Sequence, residues 1–192
     1  RSAMEYIVEQ QVYGMPDVVF AGGYNYLLPE KRKDKEDLRQ VLSSNGYSVL
    51  HTRTEMLSFN RLKVWGLFAP SALANDFDRP SEEPALHEMT QKAIELLSKN
   101  SKGFFLMVEG SKVDWSSHAN DPVGVISEFL AFDKAVKIAL DFAKKDGNTV
   151  VIVVPDHSNG GLSVGNSASN GTYDELPISA VIDPLKKATL TA

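Results

Sequence analysis

TVVIVV, residues 149–154, and GFFLMV, residues 103–108, are the two stretches that decide the fold class. Each is a short, continuous apolar run, a pattern typical of a strand that is buried on both faces of a sheet. Between them the sequence predicts one long helix, because Asp121 can act as an N-cap, Pro122 suits the first helical position and Gly147 follows the last turn. This alternation predicts a mostly parallel sheet that is covered by helices on both faces.

The first half of the chain repeats this alternation of strand-like and helix-like segments. Short apolar runs predict strands, and apolar residues at helical spacing predict helices. The predicted strands are residues 17–21, 47–51, 64–68 and 178–182, and the predicted helices are residues 37–45 and 84–100. We therefore expect an α/β fold with three layers, α/β/α, around a mostly parallel central sheet.

Composition excludes several classes of protein. The chain has 192 residues, 43% of them hydrophobic and 23% charged, with a net charge of −5 and no cysteine. A disulfide framework and a thiolate metal site are therefore excluded, and neither nucleic acid nor a membrane segment is expected. The basic run Lys31–Arg32–Lys33 precedes acidic residues, which predicts a solvated helix start. The chain lacks a leader and an initial methionine, so we expect a processed product or an internal fragment.

Acidic and histidine side chains directly follow the two apolar runs. Residues 108–122 read VEGSKVDWSSHANDP, and residues 153–161 read VVPDHSNGG. Ligands gather at the carboxyl ends of strands in such sheets, so these side chains are expected to lie close together. The candidate metal ligands are Glu109, Asp114, His118, Asp156 and His157.

The types and spacing of these residues favour divalent cations. Asp114 and His118 are four residues apart and share one face if the segment is helical, and a carboxylate with an imidazole suits zinc. Asp156 and His157 are adjacent at a strand end, whereas Glu109 offers only oxygen, which suits magnesium. Either pair alone also fits a capped turn with an exposed imidazole. Clustered carboxylates repel one another, however, and a bound cation relieves that repulsion.

The other two histidines are interpreted differently. His51 ends a predicted edge strand, and His87 lies on the polar side of a predicted helix. We interpret both as structural or solvent-facing residues.

The run GFFLMVEGSKVDWSSHANDPVG and the later run TVVIVVPDHSNGG together resemble the alkaline phosphatase family. The resemblance extends over essentially the whole chain, so residues 1–192 are expected to be the C-terminal part of a single, incomplete alkaline-phosphatase-like domain. It implies two zinc ions and one magnesium ion. Asp114 and His118 would hold the first zinc, Asp156 and His157 the second, and Glu109 the magnesium. These assignments come from the resemblance and not from spacing alone.

The resemblance also gives a role to Trp115, which follows the aspartate of the first zinc site. Family members vary at this position among Lys, His and Trp, and it tunes contact with phosphate through water. A tryptophan has no positive charge, so we expect product phosphate to be held less tightly here. The alternative is that Trp115 packs beneath its loop.

The implied activity is hydrolysis of phosphate monoesters through a phosphoserine intermediate. The family's serine nucleophile lies in an Asp-Ser-Ala-type motif that opens a helix, and nothing in this sequence reproduces that motif. The nearest string, Asn166–Ser167–Ala168, lies in a predicted loop on the wrong side of the metal motifs. The chain alone is therefore expected to be inactive. Alternatives are a phosphodiesterase or sulfatase of the same superfamily, or a non-catalytic interaction fragment. The resemblance also implies a homodimer for the full-length protein and a periplasmic or secreted location. The triplet Asn170–Gly171–Thr172 fits a glycosylation acceptor.

Overall fold

The computed structural model describes residues 3–165 and 174–192, so the triplets Asn166–Ser167–Ala168 and Asn170–Gly171–Thr172 lie outside the described residues. The chain divides into two compact units. The first comprises Arg1–Ala74 and Arg79–Val108, and the second comprises Asn75–Asp78 and Glu109–Ala192. All five candidate metal ligands belong to the second unit. Within the described residues, no helix combines the length and the apolar character that crossing a membrane requires.

The first unit contains a parallel sheet of three strands in the order β1-β3-β2. The strands are β1 (Val18–Ala21), β2 (Ser48–Leu50) and β3 (Val64–Leu67), which confirms three of the predicted strands. The central strand β3 is buried along its whole length, as expected for a strand between two helical layers.

Helices in the first unit begin and end at residues whose chemistry suits these positions. The helices are α1 (Ala3–Gly14), α2 (Leu38–Ser44), α3 (Arg53–Ser58) and α4 (Leu86–Leu97), with a short 3₁₀ turn at Tyr24–Leu27. The Asp37 side chain accepts a hydrogen bond from the Arg39 backbone N–H and so caps α2. Thr52 and Glu55 form a capping box at the start of α3. The predicted helices at 37–45 and 84–100 are confirmed.

Apolar side chains pack on both faces of this sheet, so the first unit has three layers. On one face, Trp65 and Leu67 of β3 pack in a cluster with Leu42 of α2. On the opposite face, Val64 of β3 packs in a cluster with Leu96 of α4. The alternation of β3 side chains between the two clusters follows from the two-residue period of a strand. The predicted α/β architecture with helices on both faces is confirmed.

The second unit is largely helical. Its described residues include α5 (Lys112–His118), α6 (Pro122–Asp146) and α7 (Ile178–Ile182), together with 3₁₀ turns at Asp76–Asp78 and Leu185–Lys187. The predicted signals for α6 are confirmed: Asp121 accepts a hydrogen bond from the Val123 backbone N–H, and Gly147 follows the helix with φ 74°. A positive φ is accessible to glycine without steric strain, so Gly147 suits the helix end.

Three predicted strands are wrong. Residues 103–108 and 149–154 have no regular secondary structure, and residues 178–182 form α7. The apolar runs signal burial in a sheet, but a strand also needs a neighbouring strand to complete its hydrogen bonds. Without such pairing, Phe105 is 90% exposed and Val150 is 83% exposed. For the third segment, Pro177 precedes the first residue of α7, a position that suits a residue with its fixed φ.

The predicted solvation of the basic run is wrong at its middle residue. Lys31 and Lys33 are exposed, but Arg32 is only 1% exposed. Its guanidinium donates hydrogen bonds to both carboxylate oxygens of Asp34, at 2.9 and 2.6 Å, and to the carbonyl of Tyr26 at 3.0 Å. A buried arginine is tolerated when its donors are satisfied in this way.

Candidate metal centre

Helix α5 positions the first pair of predicted ligands. Asp114 and His118 are one turn apart on this helix, and His118 Nε2 lies 3.4 Å from Asp114 Oδ1. The predicted helical spacing is therefore confirmed, and the two donor atoms lie on the same side of α5. The His118 side chain is 71% exposed, so it is open to an ion from solvent.

The second pair follows residues 149–154. His157 Nε2 lies 3.3 Å from Asp156 Oδ2, and the two side chains are 56% and 87% exposed. Neighbouring side chains converge here although the preceding residues form no strand. Glu109 is the first residue of the longer segment of the second unit, and it is exposed.

A hydrogen bond connects the two segments that carry these pairs. Asn159, two residues after His157, donates from Nδ2 to Asp114 Oδ1 at 2.9 Å. A second connection lies nearby, where the Asn120 side chain exchanges two hydrogen bonds with the Ser163 backbone, at 3.0 and 2.8 Å. The loop after His157 is thereby tied to helix α5 and to its C-terminal end.

The separations within the pairs fit zinc. Two ligands of a tetrahedral zinc ion with bonds of about 2.1 Å lie about 3.4 Å apart. The nitrogen–oxygen distances in the two pairs, 3.4 and 3.3 Å, are close to this separation. Carboxylate oxygen and imidazole nitrogen are also donors that zinc accepts. The residues of each pair therefore fit a zinc ion as two of its ligands.

The structure does not bring more than two of these ligands together. Among residues 3–165 and 174–192, no three His, Asp or Glu side chains lie close enough together to hold a metal ion. The assignment of all five residues to shared cations therefore stays a prediction.

His51 and His87 both belong to the first unit, where the ring of His51 meets the ring of Tyr24 edge-on, with centroids 4.6 Å apart.

Trp115 lies on α5 beside Asp114. It is 54% exposed, so the alternative that it packs beneath its loop is wrong. The Lys112 ammonium lies over its ring, with Nζ 4.2 Å from the ring centroid. The three-residue spacing that allows this contact is visible in the sequence, but we did not predict it.

A tight contact with α6 fixes the position of α5. Gly124 on α6 faces Ser116 on α5, and a Cβ atom at Gly124 would lie 2.6 Å from Ser116 Oγ and 2.6 Å from Asp121 Oδ2. Only a glycine allows the two helices to approach this closely. The position of Asp114 and His118 therefore depends on a residue that carries no side chain.

Comparison with known proteins shows the family. The alkaline phosphatase family model matches residues 1–181. The chain belongs to the alkaline phosphatase family.

Relatives and solved structures agree with this assignment. Alkaline phosphatase 4 of Bacillus subtilis is 42% identical over 168 residues, which cover 88% of this chain and 36% of the relative. The Thermus thermophilus alkaline phosphatase structure has a TM-score of 0.71 at 31% identity, over 76% of this chain and 32% of that chain. A mutant of the alkaline phosphatase from the Antarctic bacterium TAB5, solved with Mg bound, has a TM-score of 0.61 at 36% identity, over 76% of this chain and 42% of that chain.

The chain therefore spans about a third of the length of the Bacillus alkaline phosphatase it matches. The recognised family and the α/β fold are confirmed, and the prediction that the chain corresponds to an incomplete alkaline phosphatase fold agrees with this partial coverage. The family supports classification as a hydrolase.

Proposed function

We propose that this chain supplies metal ligands for the hydrolysis of phosphate monoesters. The observation that supports this best is the hydrogen bond from Asn159 to Asp114, 2.9 Å long. It ties the segment carrying Asp156 and His157 to the helix carrying Asp114 and His118. Four donor side chains are thus held on two connected segments of one compact unit, as a site with more than one cation requires.

Each ligand has a proposed partner ion. Asp114 and His118 would hold one zinc ion, Asp156 and His157 would hold a second, and Glu109 would bind magnesium through oxygen. When bound, these ions supply positive charge that stabilises the charge developing on phosphoryl oxygens. The carboxylates and imidazoles would hold the ions in position, and Asn159 fixes the orientation of the Asp114 carboxylate.

The chain supplies no nucleophile for this reaction. None of its sequence matches the serine motif of the family, so the serine is expected elsewhere in a complete protein. We propose that the 192-residue chain alone binds zinc weakly and does not hydrolyse phosphate esters. The proposal for a complete protein also includes a homodimer, a phosphate monoester substrate and a periplasmic or secreted location.

Zinc binding by the purified chain tests the ligand assignment. Titration against a chromogenic zinc chelator should give binding that is lost in Asp114→Asn combined with His118→Ala, and reduced in Asp156→Asn combined with His157→Ala. His87→Ala is the matched control, since His87 lies on α4 in the first unit. Equal zinc binding by all four proteins would contradict the proposal.

Activity is tested separately with p-nitrophenyl phosphate at alkaline pH, with added zinc and magnesium. No turnover is expected from the 192-residue chain. Turnover that Asp156→Ala abolishes would show that the chain does contain a working nucleophile. For a complete protein carrying this chain, a monoester should be hydrolysed much faster than a phosphodiester or a sulfate ester, and the reverse order would favour the related hydrolases.

A further inference from the structure

The sequence Ser-Asn-Gly occurs at residues 44–46, 158–160 and 169–171, and the structure describes the first two of these triplets. Asparagine is a thermolabile residue, because the backbone nitrogen of the next residue can attack its side-chain carbonyl carbon. A glycine in the next position hinders this attack least, since it has no Cβ. The two described triplets have the same local sequence, so a difference in their reactivity has to come from the fold.

The fold protects the first triplet at the C-terminal end of α2. The Gly46 backbone N–H donates a hydrogen bond to the Ser43 carbonyl at 2.9 Å. The Asn45 side chain donates from Nδ2 to the Val41 carbonyl at 2.8 Å, and Asn45 itself is the C-cap residue of the helix. Attack by the Gly46 nitrogen therefore requires that a backbone hydrogen bond of the helix end breaks first.

The second triplet lacks this protection. In the part of the chain that the structure describes, the Gly160 backbone N–H donates no hydrogen bond, and Gly160 is exposed. The Asn159 side chain donates from Nδ2 to Asp114 Oδ1 at 2.9 Å, just as the Asn45 side chain donates to a carbonyl. The two asparagine side chains are thus matched, and the glycine N–H is what distinguishes the triplets.

We propose that Asn159 is a site of spontaneous deamidation. The Gly160 nitrogen forms a bond to Asn159 Cγ, the Cγ–Nδ2 bond breaks, and ammonia leaves with the proton of the glycine N–H. Water then opens the cyclic imide, so that a carboxylate replaces the carboxamide. One product has an aspartate at position 159. In the other, isoaspartate, the backbone continues through the former side-chain carbon.

The aspartate product would give the first ligand pair a third donor, a consequence that rests on the proposed function. The Asn159 carboxamide donates a hydrogen bond to Asp114 Oδ1, whereas a carboxylate in the same place has only acceptor oxygens. Two carboxylates at this distance repel each other unless a cation lies between them. Because His118 Nε2 lies 3.4 Å from Asp114 Oδ1, zinc would then have three donors instead of two.

Peptide mapping by mass spectrometry tests the reaction. The purified chain is incubated at mildly alkaline pH, and the mass change from amide to acid is followed at Asn45 and Asn159 in the same sample. We expect Asn159 to convert about two- to ten-fold faster, the factor that corresponds to one backbone hydrogen bond. Gly160→Ala should slow conversion at Asn159 only, and it should fold normally because a Cβ there has no atom within 4 Å. Equal rates at the two asparagines, or no conversion at Asn159, would overturn the inference.

Zinc affinity tests the consequence, by competition with a chromogenic chelator. We expect Asn159→Asp to bind zinc about ten-fold or more tightly than the unsubstituted chain, as for one added opposite charge at such distances. Asn159→Ala is the matched control, because it removes the donor without adding a charge, and it should not bind more tightly. Unchanged or weaker binding by Asn159→Asp would refute the ligand role of the new carboxylate. Absence of zinc binding by the unsubstituted chain would instead refute the proposed function, while the conversion rates would still decide the modification.

Discussion

Asn159 Nδ2 lies 2.9 Å from Asp114 Oδ1, and His118 Nε2 lies 3.4 Å from the same oxygen. One carboxylate oxygen thus receives a neutral amide donor from one segment and faces an imidazole from its own helix. A hydrogen bond from outside the ligand set fixes the orientation of a ligand and the oxygen it presents. Asn159 therefore couples the geometry of α5 to that of the loop after His157.

Replacing Asn159 with alanine should weaken zinc binding about ten-fold, within the range seen when a hydrogen-bond partner of a metal ligand is removed. The Asp114 carboxylate would rotate more freely, and the loop carrying His157 would lose its connection to α5. Competition with a chromogenic chelator measures the affinity. Asn148→Ala, which removes an exposed asparagine after α6, is the control. Equal zinc affinity in Asn159→Ala and the unsubstituted chain would show that the hydrogen bond does not orient a ligand.

Gly124→Ala should disturb the same predicted ligands through the contact between α6 and α5. The added Cβ would lie 2.6 Å from Ser116 Oγ, so α5 and α6 must separate. We expect destabilisation of about 1–3 kcal/mol, as for other overpacked contacts, together with weaker zinc binding. Urea denaturation and the chelator assay measure the two effects. Gly14→Ala is the control, because a Cβ there has no atom within 4 Å. A stable Gly124→Ala protein with normal zinc affinity would contradict this view of the helix contact.

Local signals in the sequence predicted much of the fold. Helix α6 was predicted together with Asp121, Pro122 and Gly147 at its ends, because capping depends on residues within one turn. Strands β1, β2 and β3 were predicted from short apolar runs, and the structure places all three in one parallel sheet. In each case the deciding interactions are local, or they depend only on the period of the apolar side chains.

Features that depend on distant residues could not be predicted in this way. The apolar run at 149–154 indicates burial, but only strands elsewhere can complete a sheet around it. In the site, the pairing of Asp114 with His118 followed from helical spacing. The hydrogen bond from Asn159 joins residues 45 positions apart, and the sequence around Asn159 indicates only a turn. The burial of Arg32 likewise depends on a distant contact, with the carbonyl of Glu5 at 3.4 Å.

Arg32→Met should destabilise the first unit strongly. The Arg32 side chain has no solvent exposure and pairs with Asp34 at 2.6 Å, so methionine would leave that carboxylate without its cation. Removing one partner of a buried ion pair typically costs about 3–5 kcal/mol. Urea denaturation followed by circular dichroism measures the change. Lys33→Met is the control, because the neighbouring Lys33 is exposed and should change stability by no more than about 0.5 kcal/mol. Similar stabilities of the two variants would show that Arg32 is not structurally important.

Glu88→Gln should remove a stabilising contact that depends on pH. Hydrogen bonds from Arg53, 3.0 and 2.9 Å from its Nε, lower the pKa of Glu88 to about 2 from the model-peptide value of 4.5. Because the pKa is lower in the folded state, the ionised carboxylate stabilises the fold above pH 4.5, and this stabilisation is lost as the pH falls from 4.5 through about 2. Solvent screens the pair, since the Arg53 side chain is 40% exposed.

We therefore expect Glu88→Gln to lower the free energy of unfolding at pH 7 by about 1–2 kcal/mol after allowance for this screening. The difference from the unsubstituted chain should shrink between pH 4.5 and pH 2, where the native carboxylate becomes protonated as well. Urea midpoints measured at several pH values for both proteins give this comparison. Glu30→Gln, which removes an exposed carboxylate from the same unit, is the control. If the difference in the free energy of unfolding stays constant down to pH 2, the carboxylate charge of Glu88 does not stabilise the packing of α3 on α4.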